Sequence, residues 1–184
     1  VINALAASAR VGAAPISAIG ESILVAGSAA KTAGMSLQDT AAILQVLAVG
    51  GKTGAEAGTA LRNVIGLLQK PTAETEQILS RMGLTSRQVG EALTTKGIGA
   101  ALEMVKGGLN NFSSAAEKNN AMMKMFGMEN AASAQILMDN LDRYKEFQQG
   151  IKEGTEGVGT AFEMYEQKSG TATGTVARMK AVIQ

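Results

Sequence analysis

The chain has 184 residues, of which 46% are hydrophobic but only 3% aromatic, and it contains neither cysteine nor histidine. Disulfides and thiolate chemistry are thereby excluded, and the commonest general base and metal ligand are missing. Seventeen basic against sixteen acidic residues leave a net charge of +1, without the basic excess and stacking aromatics that nucleic-acid binding uses. Ala, Gly, Leu and Met dominate and only two prolines occur, which suits closely packed helices and not a β-sandwich. The expected fold is all-α, a compact bundle of about seven to nine helices with short Gly-rich turns. Charge is uneven: residues 1–70 hold five basic and three acidic residues, residues 71–184 twelve and thirteen. The first part is the more apolar.

Residues 1–9 read as the tail of a helix ending near Arg10-Val11-Gly12, with Pro15 as a first-turn proline of the next. Ile16, Ile19, Ile23 and Ala30 then keep helical period, with Glu21 the sole charge between Arg10 and Lys31. A membrane span needs about 20 apolar residues. Ser17, Glu21, Ser22 and Ser28 interrupt this run, which reads as a buried amphipathic helix. Gly34 is its stop, and Ser36 with Asp39 forms the capping pattern of the following helix. Leu37 to Val49 is apolar on most faces, which predicts a central helix closed by Gly50-Gly51. In the next, Ala57, Leu61, Val64 and Leu68 make one apolar stripe, and Pro71 ends the helix near Lys70. Gly54 and Gly58 lie one turn apart on a neighbouring face, where another backbone could approach closely.

After Pro71 a shorter helix through Ile78, Leu79 and Met82 stops at Gly83. Leu84 to Thr95 is ambiguous, with two helical turns over Ser86 to Leu93 and a loop at Thr94-Thr95-Lys96-Gly97. Ile98, Ala101, Leu102, Val105 and Leu109 form another stripe, loosened by Gly107-Gly108. Ser113 or Ser114 caps a helix Ala115–Phe126 that ends at Gly127. Glu129 to Gln149 reads as one long helix with Ala132, Ile136, Leu137, Leu141 and Tyr144 or Phe147 inward. Residues 1–149 are the expected helical core module. Residues 150–184 are the expected Gly/Thr-rich connection, interrupted by a helical Ala161–Lys168, with a further helix starting at Thr175. Helical residues at both ends predict an internal fragment of a longer protein.

Several constellations invite chemistry and are outweighed by plainer readings. Gly51-Lys52-Thr53 resembles the end of a phosphate-binding loop, but Val46 stands where that motif needs glycine, and the preceding run reads as helix. Met122, Met123, Met125 and Met128 around Phe126 suit either an adaptable interface or core filling, and Met122, Met125 and Phe126 can share one buried face. Glu74 with Glu76, and Asp139 with Asp142, lack the company of a metal site and read as solvated faces. No catalytic, cofactor-binding or metal-binding residue is expected.

Four segments in order carry a family resemblance: SLQDTAAILQVLAVGGKTGAEAGTALRNVIGLLQKP (Ser36–Pro71), Ile78–Leu84, Met125–Ala131 and Thr171–Met179. They resemble the core region of phage tail tape measure proteins. The resemblance implies a structural, non-enzymatic role in tail assembly, tail-length determination and DNA delivery, in the tube lumen of the virion tail and in the host cytoplasm during assembly. It also implies tail tube protein, baseplate or tail-tip proteins and tail assembly chaperones as partners. The helix stops at Gly34, Gly50-Gly51, Pro71, Gly83 and Gly127 depart from a long ruler rod, so a compact module of the parent is expected. Homo-oligomerisation and a host membrane contact are further expectations from the apolar residues 1–70; sequence-specific nucleic acid is not expected. Two other readings stay open. Residues 16–30 and 37–49 could act as a membrane-active helical hairpin. Glu21-Ser22 resembles the acid-plus-serine pair of lytic transglycosylases, although neither Tyr144 nor Tyr165 is followed by the asparagine of that family's pattern.

Overall fold

Eight consecutive residues of one helix, Thr40 to Leu47, are buried, and five other helices are laid around them. The computed structural model describes residues 2–156, in which every regular element is a helix. In chain order these are α1 (Ile2–Val11), α2 (Ile16–Thr32), α3 (Leu37–Val49), α4 (Gly54–Gln69), α5 (Ala73–Arg81), α6 (Ser86–Lys96), α7 (Ile98–Gly108), a single 3-10 turn (Leu109–Asn111), α8 (Ala115–Asp139) and α9 (Leu141–Glu156). The all-α expectation holds.

The buried helix is α3. It begins at the predicted capping box, where Ser36 Oγ accepts the Asp39 N–H at 3.0 Å and the Asp39 carboxylate reaches back to the Ser36 N–H at 3.4 Å. α1, α2, α4, α8 and α9 all pack on it. A helix enclosed on every side has no wet face for a polar side chain, yet Gln45 lies in its middle with no exposure. Its amide nitrogen donates to the Ser8 carbonyl (2.9 Å), the Ser8 hydroxyl (3.1 Å) and the Ala14 carbonyl (3.0 Å), and its oxygen accepts the Ala14 N–H (2.8 Å). One side chain thus satisfies the backbone groups freed where α1 ends and α2 begins, a corner of 119°. Gly12 is required there, since a Cβ would stand 2.1 Å from Gln45 Cδ.

The most extensive helix pair is α2 on α4. A Cβ on Gly58 would lie 2.5 Å from the Ser22 carbonyl oxygen, so the glycine face of α4 admits the α2 backbone itself. Ser22 Oγ seals the contact by donating to the Gly54 carbonyl at 2.7 Å and to Ala18 O at 2.9 Å. Beside this contact the predicted stripe Ala57, Leu61, Val64 and Leu68 is buried.

α8 is two helices meeting at Gly127, whose φ of 73° and ψ of 158° lie where side-chain-bearing residues rarely go. Ala121, Met122, Met125 and Phe126 are buried before the bend; Ser133, Ala134, Leu137 and Met138 are buried after it. On a straight helix at ~100° per residue those two faces would point roughly 120° apart. The bend turns both toward one core.

Four local expectations need correction. α6 runs on to Lys96, because Thr94 and Thr95 do not loop out; their hydroxyls donate back to the Gly90 and Glu91 carbonyls at 3.0 and 2.6 Å. The long helix expected over Glu129–Gln149 breaks at Asn140, whose side chain donates to Ile136 O at 2.8 Å. Ala132 faces outward, and Ser133 and Ala134 take the inner positions. Residues 150–156 continue α9, with Gly150 against Val11 and Gly154 against Ala7. The rest of the expected connection, the helix at Ala161–Lys168 and the one starting at Thr175 lie outside the described residues.

Gln45→Leu keeps roughly the volume but orphans the Ala14 N–H and carbonyl, while the Ser8 carbonyl keeps the Gly12 N–H. Urea unfolding should show a loss of about 3 kcal/mol with an unchanged slope. A loss below about 1 kcal/mol would mean that the amide is not the anchor described here.

Candidate functional site

The constellations that invite chemistry resolve into structural contacts. Lys52 pairs with Glu56 one turn into α4, and the apolar run before Gly51 is α3, so no strand leads into a phosphate cradle. Ser22 is buried with its hydroxyl committed to the Gly54 carbonyl, while Glu21 beside it is exposed, its carboxylate lying over Gly54 at the start of α4. That is a helix N-terminus receiving a negative charge, not an acid in an apolar pocket. Met122, Met125 and Phe126 fill the core, as their spacing predicts, while Met123 and Met128 face solvent. Glu74 pairs with Lys124 at 3.1 Å, Glu76 accepts from Ser86 at 3.4 Å, and Asp139 accepts from Gln135 at 2.8 Å. Among the described residues no three His, Cys, Asp or Glu side chains converge as a metal site would need.

No helix among the described residues is both long and apolar enough to cross a membrane alone. The stretch 16–30 is α2, which turns Ile19, Ala26 and Ala30 into the core, and 37–49 is the enclosed α3. Leu24, 88% exposed, and Ile16 remain on the outer side of α2.

What the fold does bring together is two of the segments that carry the resemblance. Asn63, in the Ser36–Pro71 segment, donates to Asn130, in the Met125–Ala131 segment, at 3.1 Å; Asn130 in turn donates to the Phe126 carbonyl at 3.2 Å beside the Gly127 bend. These two residues lie in a groove of about 340 Å³ between α4 and α8, with Lys52, Glu56, Thr59 and Glu129. The Ile78–Leu84 segment is held by Asn111, which donates to Met82 O at 2.8 Å, and by the Arg81 guanidinium lying 4.7 Å over the Phe112 ring. The Thr171–Met179 segment lies outside the described residues. Asn63 and Asn130 are contacts that periodicity could not find, since 67 residues separate them.

A second, polar cleft of about 520 Å³ opens between the start of α3 and α9, lined by Ser36, Asp39, Gln148 and Lys152. Gln148 donates to Asp39 there and lies 3.4 Å from the Tyr144 hydroxyl. Tyr144 is 4% exposed, its ring packed on Gly99, where a Cβ would come within 2.6 Å. Burial, with the Asp39 charge nearby, pushes the phenol well above its usual range. The unfolded chain therefore gives up this proton near pH 10 while the folded chain still holds it. The stabilisation is complete below about pH 10 and is lost as pH rises beyond it. Thermal melts of Tyr144→Phe should fall less steeply between pH 10 and 11.5 than those of the parent chain; parallel curves would contradict the burial of this phenol.

A family model for phage-related minor tail proteins matches residues 1–127. A protein of Escherichia phage P2 described as a probable tape measure protein is 31% identical over 128 residues, which cover 68% of this chain and 15% of that protein. No solved structure matches. The family match takes in two of the four segments on which the resemblance rests, Ser36–Pro71 and Ile78–Leu84, and the first three residues of the third; it includes the α2–α4 contact and the buried α3 and ends at the Gly127 bend. The chain belongs to the phage-related minor tail protein family.

Proposed function

We propose that this chain is a compact structural module of a tape measure protein, acting in tail assembly and in DNA delivery and not itself the length-setting rod. The observation that carries the reading is the absence of any rod-like element among the described residues. The longest unbroken helix, α2, has 17 residues, and the 25 of α8 are divided at Gly127. A ruler gains length by ~1.5 Å per residue only where the helix continues. Here α3 is enclosed by five other helices, so length is given up for a core.

In this reading the module lies in the tube lumen of the virion tail and, during assembly, in the host cytoplasm. It contacts the tail tube protein, baseplate or tail-tip proteins and the assembly chaperones, and contributes to tail-length determination only through the protein that contains it. The role is structural, without catalysis. The commitment of the Ser22 hydroxyl to a backbone carbonyl supports this, because it removes the serine of the one acid-plus-serine pair.

The test is an in-frame deletion of residues 1–184 from the parent gene, with tail length read by electron microscopy. The reading predicts either no tails or tails of unchanged length that fail to infect. Intact tails shortened by about 1.5 Å per deleted residue, roughly 280 Å in all, would make the segment part of the ruler and overturn it.

A further inference from the structure

Six polar residues are buried among the described residues, and the fold gives five of them a side-chain hydrogen bond. Ser8 and Gln45 bond to each other, Ser22 to the Gly54 carbonyl, Thr40 to Ser36 O and Thr75 to Thr72. Ser133 is the exception. It is 1% exposed, yet its hydroxyl bonds to no protein group among the described residues. No fully enclosed side-chain nitrogen or oxygen there lacks a partner, so the sliver of exposure left to Ser133 belongs to that hydroxyl. Ser133 lines the groove of about 340 Å³ between α4 and α8, and the hydroxyl opens into it. A buried hydroxyl without a partner costs free energy that only an incoming group recovers.

The rest of the lining says which group that is. Both walls are helices, whose backbone groups are spent on their own hydrogen bonds, so recognition falls to side chains. Asn63 gives one N–H to Asn130 and keeps the other together with its carbonyl oxygen, and Thr59 beside it keeps its hydroxyl. Lys52 is held by Glu56, while Glu129 has no ion pair among the described residues, so the rim is negative and repels anions. No aromatic ring lines the groove for a sugar to stack on. An apolar side chain would leave Ser133 and Asn63 unpaired. An uncharged amide, carrying donor and acceptor together, matches both. The volume is at the low end for a ligand pocket and takes one or two side chains. A free amino acid would bring its own carboxylate to the negative rim; a residue within a polypeptide does not. We propose that this groove docks a segment of a partner polypeptide, which inserts a glutamine or asparagine side chain between Ser133 and Asn63 and sets a lysine or arginine against Glu129. The inference rests on the groove alone and is independent of the module reading.

The probe is a tetrapeptide of glycine, glutamine, lysine and glycine, blocked at both ends, titrated into the 184-residue chain and followed by amide chemical shifts. Saturable shifts are expected at Asn63, Asn130 and Ser133. The same peptide with glutamate for glutamine should bind roughly tenfold more weakly, because a carboxylate would be desolvated beside Glu129. Ser133→Ala should weaken the glutamine peptide about fivefold. It should leave the Tm unchanged or higher, since the hydroxyl it removes has no partner within the fold. Glu129→Gln should remove most of the salt dependence of binding. Absence of saturable shifts in the groove would overturn the inference, as would equal binding of the two peptides or binding indifferent to either substitution. A Tm lowered by Ser133→Ala would overturn it too, because the hydroxyl would then be bonded within the fold. Groove signals that move on dilution of the chain alone would also overturn it, by giving the groove to a second copy.

Discussion

The amide of Gln45 is the fixed point of the N-terminal half. It lies in the middle of a helix with no solvent contact and closes four hydrogen bonds to Ser8 and Ala14. A buried amide is costly unless every partner is present, and here the partners can be present only if α1 ends and α2 starts beside α3. The 119° corner between α1 and α2 is thereby tied to the register of α3. Once that corner is set, α2 runs along the outside of the core in position to receive α4. α9 closes the other side by laying Gly150 and Gly154 against Val11 and Ala7 of α1.

Close backbone approach is the second constraint. An alanine-rich chain with few aromatics gains little from any single side chain, so its helices must come near one another to bury comparable area. Gly58 lets the α2 backbone in, and the Ser22 hydroxyl makes the approach specific by finding the Gly54 carbonyl. The bend at Gly127 serves the same economy from another direction. It allows a stretch whose apolar residues change phase midway to present both faces to one core.

The features readable in the sequence were those whose physics is local. The Ser36–Asp39 box, the Ser114 cap with Glu117, the stops at Gly34 and Gly83 and the stripe from Ala57 to Leu68 depend on residues within about three turns of one another. What sequence reasoning missed depends on distant partners. The break at Asn140 has no glycine or proline to announce it, and Lys106, 32 residues away, donates to the Met138 carbonyl at the end of the first helix. Gln45 carries no local signal of its role, because its partners lie 31 to 37 residues earlier. Thr94 and Thr95 read as a loop beside Gly97, whereas in the fold their hydroxyls turn back onto the Gly90 and Glu91 carbonyls and the helix runs on to Lys96. No site of catalytic type was predicted, and the pairs that invited one, such as Glu21 with Ser22, lie at contacts between helices. The groove at Asn63 and Asn130 joins two segments of the family resemblance, a juxtaposition that only the fold reveals.

The central claim is that this member of the minor tail protein family is a packed module and not an extended rod. Small-angle X-ray scattering of the 184-residue chain in solution tests it directly, because the two forms differ severalfold in size. A packed chain of this length has a radius of gyration of about 16–20 Å, and the account predicts a value in that range with a bell-shaped Kratky profile. A value near ~60 Å, as expected for a rod rising 1.5 Å per residue over most of the chain, would contradict it.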